Sequence, residues 1–291
     1  MNELISIIIP TYNQCEFLER CLKSISEQTY KNFEIIVIDN SSTDNTKSII
    51  EKFSYLPLKY LLNKNKGMIA QSRNLGIKQS KGEIIAFIDS DDYWKTEKLD
   101  RCYKKIKQGY DFVFHNLKIK DNKELKGRFL RKPYYKDLII NGNIINNSSV
   151  VIRKEFLFKV NLINESKKMK ASEDYNTWIK ILRETDNFFF INDCLGYYEY
   201  NLGGVSRKNM SYCTLNAIKE FIHLLDNKEK NYAISRILYM NAKYYFDKKK
   251  YDYCYKKFKV AFKFGKIKIK IKSFYYLLIL FIKKWFYEIC T

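Results

Sequence analysis

The sequence predicts an α/β protein in which a mostly parallel sheet carries helices on both faces, with an α-helical region after it. Strand and helix patterns alternate through the first ninety residues, and the strands are continuous apolar runs, as in sheets buried on both faces. Near residue 208 the pattern changes. The last 84 residues hold 19 basic and 6 acidic side chains, a net +13 of the total +21, which leaves +8 for residues 1–207. The two parts are therefore expected to differ in function.

The elements of the first part follow from local patterns. Four apolar runs have the length of buried strands, at residues 4–9, 33–38, 58–62 and 84–88. Apolar residues at helical spacing predict helices between them, at residues 15–28, 46–53 and 69–79. Further along, the run 148–152 indicates a strand, and an acidic first turn favours a helix over residues 173–183.

Polar residues follow three of these strands at the point where each strand ends. Thr11 and Tyr12 follow the first strand, Asp39 follows the second, and residues 89–92, with the sequence DSDD, follow the fourth. Because ligands bind outside the carboxyl ends of the strands in open α/β sheets, these loops predict one site. The alternative is that the acidic residues of the last loop only cap a turn.

The clustered carboxylates of residues 89–92 repel one another and need a counter-charge. A hard cation such as Mg²⁺ or Mn²⁺ supplies it and keeps coordination sites for the phosphate oxygens of a substrate. No set of His or Cys residues lies nearby in the sequence, which argues against zinc. The sequence also lacks a P-loop and a G-x-G-x-x-G fingerprint. A metal-held diphosphate at the edge of an α/β sheet then favours nucleotide-sugar transfer.

Four blocks of the sequence carry a family resemblance: SIIIPTYN, IIVIDNSSTDNT, NKGMIAQSRNLGIKQSKGEIIAFIDSDDYW and ASEDYNTWIKI. In order and spacing they resemble the inverting glycosyltransferases of family 2, which have the Rossmann-like GT-A fold. The resemblance covers residues 4–207. It implies a transferase domain over residues 1–207, with a nucleotide-binding half in residues 1–92 and an acceptor half in residues 93–207.

The resemblance assigns roles around a UDP-sugar donor. Pro10, Thr11 and Tyr12 would line the nucleotide base, and Asp39 would accept a hydrogen bond from the uracil N–H. Arg73 would lie near the base and the diphosphate, where its guanidinium fork suits either group. The alternative for Arg73 is a charge on a helix surface.

The resemblance also assigns the metal and the diphosphate. Asp91 would bind Mn²⁺ or Mg²⁺ directly, and Asp89 would be a second metal residue that holds the ribose or a metal-bound water. Asp92 would be a supporting or helix-capping group. The metal would neutralise the leaving diphosphate.

Inversion requires a base on the face of the sugar opposite the leaving group. The pair Glu173-Asp174 matches the family's acidic pair, whose second member is the base. This implies Asp174 as general base and Glu173 as its support, whereas the alternative is that both acids only stabilise a helix N-terminus. Trp178 in the same block would stack on the acceptor or, as the preferred interpretation, pack in the core.

Two positions depart from the family pattern. Residues 39–42 are DNSS where the family commonly has DDGS, so a polar turn residue is kept but the flexibility of glycine is lost. Asn201 stands where a histidine near the diphosphate often lies, which weakens any metal coordination through imidazole. Arg207 and Lys208 would supply positive charge in that loop instead.

Residues 208–291 form the predicted basic helical region, helical over 212–264 with a turn at 247–250. Residues 238–261 resemble one tetratricopeptide unit, and this predicts a helix pair that packs on the catalytic domain; the matching residues are Leu238, Ala242, Tyr245, Cys254, Phe258 and Ala261. Lysines alternate with isoleucines over residues 266–272, which fits either a strand or a helix with scattered lysines.

The end of this region has the composition of a membrane-surface segment. The apolar run 274–282 has nine residues, whereas a spanning helix needs about 20, so no transmembrane segment is predicted. Residues 248–284 hold 13 Lys and one acid. These features favour an in-plane helix on an anionic membrane over a solvated basic helix pair, and nucleic acid is the least favoured partner.

The ends and the cysteines exclude other classes. The segment MNELISIIIPTYN lacks a basic start and a cleavage site, so it is expected to form a strand and not a signal peptide. The seven cysteines are odd in number and include no C-x-x-C pair, which favours reduced thiols in the cytosol over a zinc site or a disulfide framework.

Together with these patterns, the resemblance implies a metal-dependent transferase that moves a sugar from a UDP-sugar to a hydroxyl of a bacterial surface glycan, such as a lipooligosaccharide, capsule or O-antigen. It would be cytoplasmic and peripheral at the inner face of the cell membrane, with a glycan or lipid-linked glycan as acceptor. The alternatives are a polyprenyl-phosphate sugar transferase and a non-catalytic module that binds nucleotide sugars or recruits partners to the membrane. Intact Asp39, Asp89, Asp91 and Asp174 argue against the non-catalytic module.

Overall fold

The computed structural model describes residues 2–64, 67–119, 123–199 and 209–290, with side chains as far as residue 283. The chain forms two compact units, residues 1–134 with 144–201 and residues 135–143 with 202–291. Each unit has a hydrophobic cluster of its own.

One sheet contains the strands that the described residues of the first unit form. These strands are β1 (Ile5–Thr11), β2 (Phe33–Asp39), β3 (Leu58–Leu62), β4 (Ile84–Phe87), β5 (Tyr93–Trp94), β6 (Phe112–Lys118), β7 (Glu124–Leu125), β8 (Val151–Arg153) and β9 (Phe188–Tyr197). Their order is β3-β2-β1-β4-β8-β6-β9-β5, with β7 paired to β6. The pairs β1–β2, β1–β4, β2–β3 and β6–β9 are parallel, whereas β8 is antiparallel to β4 and β6. The sheet is therefore mixed, with most of its strands pointing the same way, as predicted.

The helices agree with the predicted alternation of strand and helix. Among the described residues they are α1 (Cys15–Ser26), α2 (Thr46–Lys52), α3 (Ile69–Gln79), α4 (Lys98–Lys107), α5 (Tyr134–Asn141), α6 (Lys154–Lys159), α7 (Glu173–Glu184), α8 (Met210–Lys219), α9 (Asn227–Asp247), α10 (Tyr255–Phe264) and α11 (Ile267–Cys290). The bounds of β1–β4, α1–α3 and α7 lie within two residues of the predicted ones.

Strand β1 is buried on both faces because helices cover the sheet on either side. Ile7 belongs to a cluster that includes Leu18 of α1. On the other face α3 comes so close that a Cβ on Gly76 would lie 2.7 Å from Ile8 Cγ2. Only glycine permits this approach, which holds the middle of α3 against the strands that carry the predicted site.

The strand predicted at residues 148–152 begins later than expected. A 3₁₀ turn occupies Asn147–Ser149, and β8 follows at Val151–Arg153. The turn exists because its polar side chains bond to the loop after β4, where Ser148 Oγ accepts from the Asp89 amide at 3.0 Å and Asn147 Nδ2 donates to Asp89 Oδ1 at 3.2 Å. Apolar periodicity carries no information about such contacts.

The second unit contains a helical core built by α9, α10 and α11. Its cluster consists of Tyr239, Ala242, Cys254, Phe258, Ala261 and Leu280. Four of these residues are ones that the tetratricopeptide resemblance singled out. The predicted turn after residue 247 is present, with Lys249 at a φ of +58°.

Two details of this unit differ from the prediction. The helix predicted over 212–264 is interrupted between Lys219 and Asn227, and α9 restarts there with a capping box formed by Asp226 and Glu229. The segment 266–272 is helical from Ile267 onward, so the strand interpretation is wrong and the helix interpretation is confirmed.

Neither membrane spans nor disulfides occur in the described part of the chain. None of the helices described there combines the length and the apolar composition that crossing a bilayer requires. The cysteines whose side chains are described are free thiols.

Candidate active site

The predicted site residues lie at one edge of the sheet because β1, β2 and β4 are parallel neighbours. Thr11 and Asp39 are register partners at the ends of β1 and β2, and the Asn40 amide donates to the Thr11 carbonyl at 3.0 Å. Asp89 follows β4, the neighbour of β1 on its other side. Three polar loops therefore converge at the carboxyl ends, where the sequence predicted them.

Asp39 is a buried and fully oriented acceptor. Its Oδ1 accepts from the Ser42 amide at 2.9 Å and the Ser42 hydroxyl at 2.6 Å, and its Oδ2 accepts from the Tyr60 hydroxyl at 2.6 Å. Burial and this bond to Asp39 raise the pKa of Tyr60 above its ordinary range, so Tyr60 stays a donor. The sequence did not single out Tyr60, which lies on β3.

The loop after β2 contains the residue that replaces a family glycine. Ser41 has a φ of +63°, in the left-handed region that glycine enters at no steric cost. Ser41 therefore adopts a backbone conformation that glycine would adopt without strain.

Arg73 joins two of the predicted site loops. Its Nη2 donates to Asp89 Oδ1 at 2.7 Å, and its Nη1 donates to Glu173 Oε1 at 3.0 Å. The side chain is 4% exposed, so the interpretation as a helix-surface charge is wrong. Burial lowers the pKa of Arg73, but the carboxylates of Asp89 and Glu173 outweigh it and raise the pKa, so the guanidinium stays charged.

Asp91 and Asp92 have different environments although they are adjacent. The Asp91 carbonyl accepts from Arg20 Nη2 at 2.6 Å, while its side chain stays partly exposed. Asp92 is buried, and its carboxylate accepts from the Ser148 hydroxyl and from the Glu199 amide. Asp92 thus supports the loop and caps no helix, because the next helix begins only at residue 98.

Asp174 has a carboxyl group whose pKa lies near neutral pH. It lies in the first turn of α7, and its Oδ1 accepts from the Tyr175 amide at 2.7 Å. Burial and the neighbouring Glu173 carboxylate raise the pKa of Asp174 to about 7, against the opposing influence of Arg73. Glu173 itself is 5% exposed and is bound by Arg73, so it acts on Asp174 through its charge. A base works best when its pKa lies near the operating pH.

Among the described residues, one pair of carboxylates has the chemistry to bind the predicted metal. No group of three His, Cys, Asp or Glu side chains in the described ranges has the geometry to hold an ion. Asp91 and Asp89 are oxygen donors on one loop, and Mg²⁺ typically binds one or two carboxylates together with substrate phosphates. Asp89 Oδ1 already accepts from Arg73 and Asn147. The residues therefore fit a cation that arrives with a diphosphate.

The remaining predicted residues separate into three groups. Thr11 is buried, and Tyr12 is 54% exposed at the strand end, open to a planar ligand. Trp178 is fully buried, with its ring 5.4 Å from that of Phe112, so the core interpretation is confirmed. The loop containing Asn201, Arg207 and Lys208 lies outside the described residues.

Local sequence patterns did not indicate Arg20, Tyr60, Asn147 or Ser148 as parts of this edge. Arg20 projects from α1 and also pairs with Glu199 at 2.9 Å. Their hydrogen-bond partners Asp39, Asp89, Asp91 and Asp92 lie 21 to 71 residues away in the sequence, and Glu199 is farther still from Arg20. Apolar periodicity records which face of an element is buried and gives no partner for a polar side chain on it.

Solved glycosyltransferases share this architecture. A crystal structure of residues 1–349 of S. aureus TarS in complex with UDP aligns with a TM-score of 0.60 and 24% identity, over 83% of this chain and 70% of that one. A mannosyltransferase from Pyrobaculum calidifontis, PcManGT, in complex with GDP-Man and Mn²⁺ aligns with a TM-score of 0.63 and 17% identity, over 93% and 78%. At such identities the likeness concerns the fold alone, which is the GT-A fold.

The sequence comparisons then give the family. The model for glycosyl transferase family 2 matches residues 6–166. The Escherichia coli UDP-Glc:alpha-D-GlcNAc-diphosphoundecaprenol beta-1,3-glucosyltransferase WfgD is 31% identical over 242 residues, which are 81% of this chain and 90% of WfgD. The chain belongs to glycosyl transferase family 2, and the protein is a glycosyltransferase.

Proposed function

We propose that the protein transfers a sugar from a UDP-sugar, with inversion, to a hydroxyl of a bacterial surface glycan, and that Asp174 is its general base. One observation carries the proposal: Asp174, with a pKa of about 7, stands next to the Glu173–Arg73–Asp89 ion-pair chain that leads to the strand-end loops. The WfgD name, which specifies a UDP-Glc donor and a diphosphoundecaprenol-linked glycan, supports both substrates.

The donor occupies the ends of β1 and β2 in this proposal. Pro10, Thr11 and Tyr12 line the base, and Asp39 accepts from the uracil N–H with a lone pair that its protein partners leave available. The bonds to Ser42 and Tyr60 fix the orientation of the Asp39 carboxylate beforehand, which reduces the entropy lost on binding.

Arg73 acts on the donor through Asp89 in this proposal. Both terminal nitrogens of Arg73 donate to carboxylates, so the guanidinium holds Asp89 in position toward the donor. Because the same guanidinium binds Glu173, it couples the donor loop to the first turn of α7, where the base lies.

Mn²⁺ or Mg²⁺ is the proposed cofactor, and Asp91 and Asp89 are the residues that would hold it. When bound, the cation supplies charge neutralisation for the leaving diphosphate. Asp92 stabilises this loop, because its buried carboxylate accepts hydrogen bonds from both the Ser148 hydroxyl and the Glu199 amide.

The base step follows from the charge on Asp174. At pH 8 the carboxyl group of Asp174 is ionised in most molecules. It takes the proton of the acceptor hydroxyl as that oxygen attacks the anomeric carbon, while the bond from this carbon to the diphosphate breaks and UDP leaves. Below pH 7 the group is protonated and cannot accept, so the transfer rate falls about tenfold per pH unit.

We also propose the setting and the domain roles. Residues 1–207 form the transferase domain, with the donor in 1–92 and the acceptor in 93–207, and residues 208–291 form the basic helical region. The proposed location is the cytoplasm, peripheral at the inner face of the cell membrane, and the lipid-linked acceptor in the WfgD name supports it.

The test compares Asp174→Asn with Asp247→Asn, which changes a 55% exposed carboxylate at the end of α9 in the second unit. UDP release is measured with a panel of UDP-sugars and a diphosphoundecaprenol-linked glycan. We expect Asp174→Asn to lower transfer by about 10²- to 10⁴-fold, the contribution of a general base, and Asp247→Asn to leave it unchanged.

Binding separates the loss of the base from the loss of the site. The thermal shift produced by UDP with Mn²⁺ should persist in Asp174→Asn and disappear on chelation. Transfer at the wild-type rate by Asp174→Asn would contradict the base assignment. Absence of transfer by the wild type with every donor, despite a metal-dependent UDP shift, would favour a non-catalytic nucleotide-sugar-binding module.

A further inference from the structure

Helix α11 presents a stripe of large apolar side chains to solvent. We call it the outer face of α11; it comprises Ile267, Ile271, Phe274, Leu278, Phe281 and Ile282. Their exposures run from 43% at Ile282 to 72% at Ile267. They recur every three or four residues up to Phe281, so they share one side of the helix. A contiguous exposed apolar face of this kind marks an interaction surface.

The opposite face of α11 is occupied by its own unit. Leu280 is buried in the cluster of the helical core, and Ile269 and Tyr276 pack against it. The Tyr276 ring stacks on Phe258 of α10 with centroids 4.9 Å apart. Because Ile269, Tyr276 and Leu280 fix this face to protein, α11 presents its outer face to a partner over residues 269–280.

The exposed apolar surface continues from α11 onto α10. Phe262 is 41% exposed, and its ring lies 5.9 Å from that of Phe274. Phe264 at the end of α10 is 39% exposed. The two helices thus present a broader apolar surface than a single helix stripe.

Lysines border the outer face on both sides. At about 100° per residue, Lys268 and Lys272 fall beside one border and Lys270 beside the other. Residues 248–284 hold 13 Lys against the single acid Asp252. A protein partner for this surface would need an apolar ridge between two acidic rows, whereas an anionic bilayer offers both features everywhere on its surface.

We infer that the outer face of α11 docks the protein on an anionic lipid bilayer, with the helix lying in the plane of the membrane. The apolar side chains enter the boundary between headgroups and acyl chains, and the bordering lysines contact lipid phosphates. The inference rests on the proposed function for its setting at the cell membrane and names the surface that carries this association.

Co-sedimentation of the full-length protein with vesicles tests the lipid chemistry. One set contains phosphatidylcholine with 40 mol% phosphatidylglycerol, and the other contains phosphatidylcholine alone. We expect binding to the anionic vesicles to be at least tenfold stronger and to weaken as salt rises, because lysine attraction is screened. Equal binding to both sets would overturn the role of the lysines.

Matched variants test the surface. Phe274→Asp places a charge on the outer face, and Phe158→Asp does the same to a phenylalanine of α6 that is 46% exposed, against 55% for Phe274. We expect Phe274→Asp to weaken vesicle binding by at least tenfold and Phe158→Asp to leave it unchanged, with both variants retaining the wild-type melting temperature. Lys268→Gln should weaken binding by about fivefold, the contribution of one surface lysine.

Three outcomes overturn the inference: no binding to anionic vesicles, equal losses in both Asp variants, or self-association in solution that Phe274→Asp abolishes without any vesicle binding. The last would assign the outer face to a second copy of this chain. UDP release without vesicles is measured in parallel. A wild type that transfers sugar but ignores vesicles contradicts this inference alone, and one that binds vesicles but releases no UDP contradicts the proposed function alone.

Discussion

The strand-end site of the first unit and helix α11 of the second unit differ in what they bury. The site buries charged side chains, whereas α11 exposes large apolar ones. At the site, Arg73 is 4% exposed and its terminal nitrogens are committed to two carboxylates. On α11, Phe281 is 66% exposed and Lys268 is exposed beside the apolar stripe. A buried charge is tolerated only when it is paired, whereas an exposed apolar stripe persists where a partner covers it.

This difference shows that the net charge of +21 does not indicate the kind of partner until the positions of the charges are known. In the first unit, Arg73, Asp89 and Glu173 form a network whose charges compensate one another. Residues 248–284 hold 13 lysines and one acid, so their positive charge is largely uncompensated within that segment. The total alone would have fitted a nucleic-acid-binding protein equally well.

The largest expected effect on stability is at the buried network. Arg73→Met removes the cation from two carboxylates and should lower the free energy of unfolding by about 3–5 kcal/mol, the cost of leaving buried charges unpaired. The matched change in the second unit is Lys243→Met on α9, whose pair with Asp247 has side chains 44% and 55% exposed. It should cost at most about 1 kcal/mol. Urea unfolding at pH 8 measures both, and equal losses would remove the contrast between the two regions.

A second prediction concerns a lysine that lacks such pairing. Lys98 of α4 is buried, its Nζ has no hydrogen-bond partner among the described residues, and that atom lies 3.5 Å from the centroid of the Trp94 ring. Burial lowers the pKa of Lys98 to about 7, against a small opposing influence of Cys102. His115 is buried nearby, and burial, together with the charge of Lys98, lowers its pKa to about 3.

Lys98→Met should therefore stabilise the protein in a pH-dependent way. Because the folded-state pKa of Lys98 lies below that of the unfolded chain, the wild type loses stability as the pH falls from about 10 to 7. The Met variant lacks this loss, so its gain should be about 1–3 kcal/mol at pH 6 and near zero at pH 10. Lys268→Met on α11 is the control, with no gain expected at either pH. A gain of Lys98→Met that does not change with pH would show that packing, and not protonation, is responsible.

The sequence was sufficient for the elements that position the site. Strands β1–β4 and helices α1–α3 are long enough, and periodic enough, for burial to fix their bounds within two residues. The strand-end carboxylates Asp39, Asp89 and Asp91 followed from the same pattern, since parallel strands bring their carboxyl ends together. The role of Asp174 depended on the family resemblance and stays a prediction.

The contacts between these residues were beyond the sequence. Arg73 has no local feature that distinguishes it from a surface arginine, because its partner Glu173 lies 100 residues away. The 3₁₀ turn at Asn147–Ser149 replaced the start of a predicted strand for the same reason, since its side chains bond to the loop after β4. The alternation of lysine and isoleucine in residues 266–272 fits either a strand or a helix. The structure shows a helix, in which Ile269 packs against the helical core.

The smallest predicted effect compares the backbone of the two units. Ser41, beside Asp39, has a φ of +63°, and Lys249, after α9, has a φ of +58°. A non-glycine residue at a positive φ lowers the stability of the folded state by about 1 kcal/mol. Glycine removes this strain but also raises the entropy of the unfolded chain, so only part of the loss is recovered. Ser41→Gly and Lys249→Gly should each stabilise the protein by about 0.5 kcal/mol, whereas Ser41→Ala should give no gain because alanine keeps its Cβ. Only Ser41→Gly changes the loop that orients Asp39, so it alone should also alter the thermal shift produced by UDP. If both glycine variants change the UDP-induced thermal shift by the same amount, the orientation of Asp39 does not contribute to nucleotide binding.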